Sequence, residues 1–150
     1  MVRISKIWRP VCLLALSASM LTLSGCGGGS APSRPQYAVH GKVLHHGQAA
    51  ARAIVVLHPV NQNDPPPFPP RGVTGPDGSF VIGSRLTSDG APVGEYVVTV
   101  TWPEEQNPKD PPENTPPDRL KNRYNDLKRS KWHVHVAAAS DNALETLNIE

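Results

Sequence analysis

From Tyr37 onward, apolar residues recur at every second position in short runs, and Gly, Pro, Asn and Asp punctuate those runs. That period belongs to strands whose side chains alternate between core and solvent. Val39, Gly41 and Val43, with His40, Lys42 and Leu44 between them, predict a first strand ending at a Gly47-Gln48 turn. Ala53 to His58 is a β-branched run bounded by Pro59, suited to the centre of a sheet. Arg71–Thr74 and Ser79–Ile82 flank Gly75-Pro76-Asp77-Gly78 and predict a hairpin, because Pro76 presets φ and Gly78 tolerates a positive one. Gly94 to Trp102 is the strongest strand, with Tyr96, Val98, Val100 and Trp102 on one face and Val97, Thr99 and Thr101 on the other. Trp132 to Val136 alternates likewise. Ala143 to Ile149 closes the chain as a strand or, by its Leu144/Leu147 spacing, as a helical turn.

Two segments break the period. Five of the six residues 65–70 are proline, and six more prolines fall within 103–117. Proline donates no ladder hydrogen bond, so both segments are expected as exposed loops of polyproline II character. After the second, Leu120, Tyr124 and Leu127 share one face at i, i+4 and i+7, and Pro117 or Asp118 starts a predicted short helix. The pattern predicts an all-β, seven-stranded, immunoglobulin-like β-sandwich with one short helix over residues 37–150.

Before residue 37 the pattern is different. Arg3, Lys6 and Arg9 precede a mostly apolar stretch, Val11–Leu23, and then Ser24, Gly25 and Cys26. A transmembrane helix needs ~20 apolar residues, more than this stretch supplies. The layout is that of a secretory signal peptide, with an uncleaved, unlipidated signal as the alternative. Leu23-Ser24-Gly25-Cys26 resembles the lipobox of bacterial lipoproteins. The resemblance implies a cleaved signal over 1–25, a diacylglycerol thioether on Cys26 and acylation of its freed amine. Two or more chains hold a protein stably at a membrane. It also implies a cell-envelope location. Gly27, where aspartate would retain the protein at an inner membrane, implies the outer membrane in a cell that has two, facing the periplasm or the exterior. Residues 26–36, rich in Gly, Ser and Pro, are the expected tether.

Cleavage changes the charge. Fifteen Lys+Arg less the three in the signal leave 12 against 13 Asp+Glu, about −1 rather than +2. Such a balance gives no footprint for nucleic acid. Cys12 leaves with the signal and Cys26 carries lipid, so no disulfide is expected in the remaining domain.

Gly41-Lys42-Val43, Gly47 and Ala53–Pro59 resemble the opening of carboxypeptidase regulatory-like domains, which are transthyretin-like β-sandwiches. Thr74-Gly75-Pro76-Asp77-Gly78-Ser79-Phe80 matches their usual Thr-Asp-x-Asp-Gly-x-Phe, with Gly75 in place of the first Asp. Asp89 to Val100, Arg123-Tyr124 and Asn142-x-Leu144 resemble small bacterial lipoproteins that carry this domain. The resemblance implies an accessory or binding module. In the matching string, Gly94 permits close approach of the Ala91–Val93 loop, Glu95 holds a backbone N–H or a nearby base, and Tyr96 packs inward.

The chemistry-bearing residues are few. His133 and His135 stand at i and i+2 on one strand face, a plausible start for a zinc, copper or nickel site or an ordinary exposed face. Arg119, Lys121, Arg123, Lys128, Arg129 and Lys131 face only Asp126 within residues 119–131. Glu104, Glu105, Asp110 and Glu113 precede them and offer a partner for that charge; anionic lipid headgroups, acidic glycans and a solvated face are the alternatives. Arg119, Lys121 and Arg123 are the candidate binding residues. No Tyr-Arg-Gly-Ser ending of hydroxyisourate-opening enzymes stands here, nor the two-Tyr, two-His set of intradiol dioxygenases, nor a Ser/His/Asp or phosphate-loop pattern. The expectation is therefore a chain that is not an enzyme and holds no cofactor. It would be membrane-attached through lipid on Cys26, and would be a binding or structural accessory module for a protein or glycan partner. Histidine-based transition-metal binding is the alternative.

Overall fold

The computed structural model describes residues 34–60, 68–84, 88–109, 111 and 114–150. By its internal contacts the chain divides into Met1–Ala31 and Pro32–Glu150, and every described residue belongs to the second unit. The signal segment, Cys26 and most of the tether lie outside the described residues.

Nine strands run through the described residues: β1 Val39–His45, β2 Gln48–Ala49, β3 Ile54–Pro59, β4 Arg71–Val73, β5 Ser79–Val81, β6 Gly94–Thr101, β7 His133–Val136, β8 Asn142–Ala143 and β9 Leu147–Ile149. They form two sheets, one of five strands and one of four. In the first, β1 is the spine: β2 and β5 lie antiparallel to it, β8 and β9 parallel. The second has the order β4-β3-β6-β7, antiparallel throughout. The architecture is all-β, as the alternation predicts.

The core lies between the inward faces. Val39, Val43, Phe80, Ile82, Leu147 and Ile149 come from the first sheet and its margins, and Val55, Leu57, Tyr96, Val98, Val100 and Val136 from the second. The period-2 reading of β6 holds, since Tyr96, Val98 and Val100 are fully buried. The Tyr96 hydroxyl donates to the Pro92 carbonyl at 2.8 Å, so the ring fills the core while its polar end is satisfied. Asn142 ties the end of β7 to the start of β1: its amide donates to the Ala38 and Ala137 carbonyls, and its side-chain oxygen accepts the Ala137 N–H.

Three expectations are corrected. The Gly75–Gly78 turn forms, with Gly78 at φ 79° and its N–H on the Gly75 carbonyl at 3.0 Å. Its arms bridge each other at Arg71 and Gly83 as a hairpin would, but otherwise enter different sheets, β4 against β3 and β5 against β1. Both arms are inward at alternate positions (Gly72 and Thr74, Phe80 and Ile82), and such arms best bury those residues by straddling the sandwich edge. The backbones touch where Gly72 lies, and a Cβ there would collide with the Val81 carbonyl.

The predicted helix after Pro117 is absent: Asp118 bridges Pro103, and residues 119–124 are a series of turns. Lys121 and Asn122 take φ of 51° and 60°, left-handed values that no right-handed helix admits. The Asp118 carboxylate draws in the N–H groups of Trp102, Leu120 and Asn122, which folds the segment around that side chain. Leu120 and Tyr124 still reach the core, while Leu127, expected on the same face, is 48% exposed. Finally, the count among the described residues is nine rather than seven because β1 collects the two-residue strand β2, and the closing run splits into β8 and β9.

Candidate functional site

The strands give the unit two ends. At one, Tyr37 bridges Ala91, and the Asn142 N–H reaches the Ala38 carbonyl. At the other, β1 and β9 finish side by side at His45 and Ile149, and the His45 ring meets Trp102, which follows β6, edge-on at 5.1 Å. Six steps along β1 at ~3.3 Å each set Val39 and His45 about 20 Å apart.

The basic segment folds over the second end. The Val100 N–H donates to the Tyr124 carbonyl and the Arg119 N–H to that of Trp102. Arg119, Lys121 and Arg123 thereby surround one open depression of about 440 Å³ with Arg129, His45, Leu120 and Glu150. The structure thus unites the three candidate binding residues. Sequence reasoning did not place His45 and Arg129 with them. Arg129 sits in the same cationic run, but His45 is 74 positions before Arg119 and no local spacing links them.

The guanidinium groups are held from behind. Arg119 Nε donates to the Pro103 carbonyl at 3.3 Å, and the group lies 5.0 Å from the Trp102 ring centre. Arg123 Nη1 donates to the Glu150 main-chain oxygen at 3.1 Å, with the group 5.4 Å from the Tyr124 ring. Tyr124 is anchored in turn, its hydroxyl accepting the Glu150 N–H at 3.0 Å. Among the described residues no aspartate or glutamate side chain pairs with Arg119, Lys121 or Arg123. Glu105 of the acidic stretch binds Arg52 at 2.7 Å instead, and Asp126 binds Arg129 at 3.1 Å.

His133 and His135 are exposed on the outer face of the second sheet. Glu95, opposite His135 in the ladder, takes its Nδ1 at 2.6 Å, so Glu95 meets a nearby base as expected. Among the described residues no three His, Cys, Asp or Glu side chains converge. His133 stands two residues along the strand, opposite Val97. On the same sheet, His58 Nε2 meets Thr99 Oγ1 at 2.9 Å, and burial lowers the His58 pKa below 6.5. A larger cleft of about 770 Å³ lies where β4 and β5 part, with Val73, Val81, Arg71 and His40 on its walls. His40 is occupied by Asp141 at 2.9 Å.

No family model matches the chain, and no curated protein matches it. Among solved structures, the chain is similar to part of a 9R-lipoxygenase from Cyanothece PCC8801, at 13% identity and a TM-score of 0.44. The match covers 77% of this chain and spans 16% of that one. The neighbour is an enzyme, so the comparison gives no support to the expectation that the chain is not one. At this TM-score the likeness assigns neither a fold family nor a reaction to these residues.

Proposed function

We propose that the chain is a cell-envelope lipoprotein, held in the outer membrane by lipid on Cys26, whose transthyretin-like β-sandwich binds a protein or glycan partner. The binding face is the depression ringed by Arg119, Lys121 and Arg123. The observation that carries the reading is the convergence of these three cations, without an acidic side-chain partner among the described residues, on the end opposite Tyr37. The Leu23–Cys26 string supports the anchor, and the Asp89–Val100 string supports the sandwich type.

Crosslinking in intact envelopes tests the reading. The wild-type chain is expected to give a discrete crosslinked species that an Arg119→Ala/Lys121→Ala/Arg123→Ala variant loses while remaining folded by circular dichroism. An unchanged species in the variant contradicts this binding face.

A further inference from the structure

We propose that the depression, and the cationic strip that continues from it, bind an acidic polysaccharide through its carboxylates; this deepens the functional reading above and rests on it. The chemistry starts with the two arginines. Arg119 spends Nε on Pro103 and leaves both Nη groups for a ligand. Arg123 spends Nη1 on Glu150 and leaves Nη2 and Nε. Each guanidinium faces an aromatic ring, so little freedom remains to be lost on binding. A planar fork held this way suits a carboxylate, which it can grip with two parallel hydrogen bonds.

The site is built at a conformational cost. Lys121 and Asn122 are consecutive left-handed residues without glycine, a conformation that disfavours Lys121 in particular. Asp118 compensates through its three backbone N–H bonds, and the resulting turn sets Lys121 on the rim between the arginines.

Extent argues for a polymer. Lys131 lies 5.5 Å from the Tyr124 ring centre and 5.1 Å from that of Trp132, which continues the positive surface beyond the depression. Asp126 is the single acid within 119–131 and is spent on Arg129 and on the Lys128 N–H. The lining argues against a protein partner. Protein interfaces centre on apolar or aromatic anchors in desolvated pockets, and here Leu120, the one apolar lining residue, is 9% exposed.

The test uses the lipidated full chain in phosphatidylcholine vesicles, titrated with alginate oligosaccharides, neutral dextran, polyglutamate and, separately, vesicles of phosphatidylglycerol. Alginate is expected to bind, more weakly as salt rises. Arg119→Ala/Arg123→Ala is expected to lower its affinity about tenfold or more. The charge-preserving Arg119→Lys/Arg123→Lys, which removes the planar forks and keeps the net charge, is expected to lower it severalfold. Lys42→Ala/Arg71→Ala, which removes two cations elsewhere, is expected to leave it unchanged. Equal binding of dextran, tighter binding of polyglutamate, binding to phosphatidylglycerol alone, or indifference to the arginine variants overturns the proposal. Loss of the envelope crosslink in the triple variant, together with no alginate binding, rejects the polysaccharide and leaves the binding face standing.

Discussion

Thr74 is 3% exposed, and its hydroxyl serves two backbone groups at once, accepting the Ala53 N–H at 2.7 Å and donating to the Ala50 carbonyl at 2.5 Å. Valine would fill the same space and abandon both partners. Thr74→Val is therefore expected to lower unfolding free energy by about 2–4 kcal/mol in urea titrations, and a loss within experimental error would show that water replaces the hydroxyl. His58 carries a pH dependence. Its pKa is lowered in the folded state, so between that value and 6.5 the unfolded chain binds the extra proton. Stability from this group is complete above pH 6.5 and falls as pH drops toward the folded value. His58→Gln is expected to flatten the decline of the melting temperature on acidification relative to wild type, and parallel curves contradict this role. Residue orientation was largely legible wherever alternation was strong: Tyr96, Val98 and Val100 lie inward as their spacing requires. His45 was not legible as a site residue, because its neighbours arrive from the far side of the sequence.

At the scale of elements, the turn after Pro117 is where local pattern and outcome part. The i, i+4 pair Leu120 and Tyr124 does mark a buried face, yet a pattern of apolar positions cannot report which backbone N–H groups a carboxylate will gather. Asp118 decides the local structure. Asp118→Ala strips three N–H groups of their acceptor and is expected to cost about 2–3 kcal/mol. It is also expected to weaken partner binding by freeing Arg119 and Lys121, whereas Asp118→Asn, which keeps one acceptor oxygen, is expected to lose less of both. Denaturation and titration of the two variants check the order. The Gly75–Gly78 turn shows a second limit, since turn chemistry fixes the reversal and says nothing about which sheet each arm joins. Gly72 records the answer in its contact with β5. Gly72→Ala is expected to destabilise by about 1–3 kcal/mol as β4 and β5 are forced apart, and an unaffected midpoint would mean that the two backbones separate freely.

Across the molecule, strand direction sorts the irregular segments. β3 ends at Pro59 opposite Tyr96, so the first proline-rich segment leaves from the end where the chain enters the sandwich. β6 ends at Thr101 opposite Ile54, so the second leaves from the end that holds the basic depression. Composition counts the prolines and the charges but not their segregation, which exists only once β1 in one sheet and β6 in the other each run from one end to the other. The proposed lipid anchor on Cys26 is the claim on which the envelope reading rests. Metabolic labelling with radioactive palmitate, followed by membrane fractionation of wild type and Cys26→Ser, measures that most directly. The account predicts label and membrane association in the wild type and neither in the variant; an unlabelled wild type, or a variant that still sediments with membranes, contradicts it.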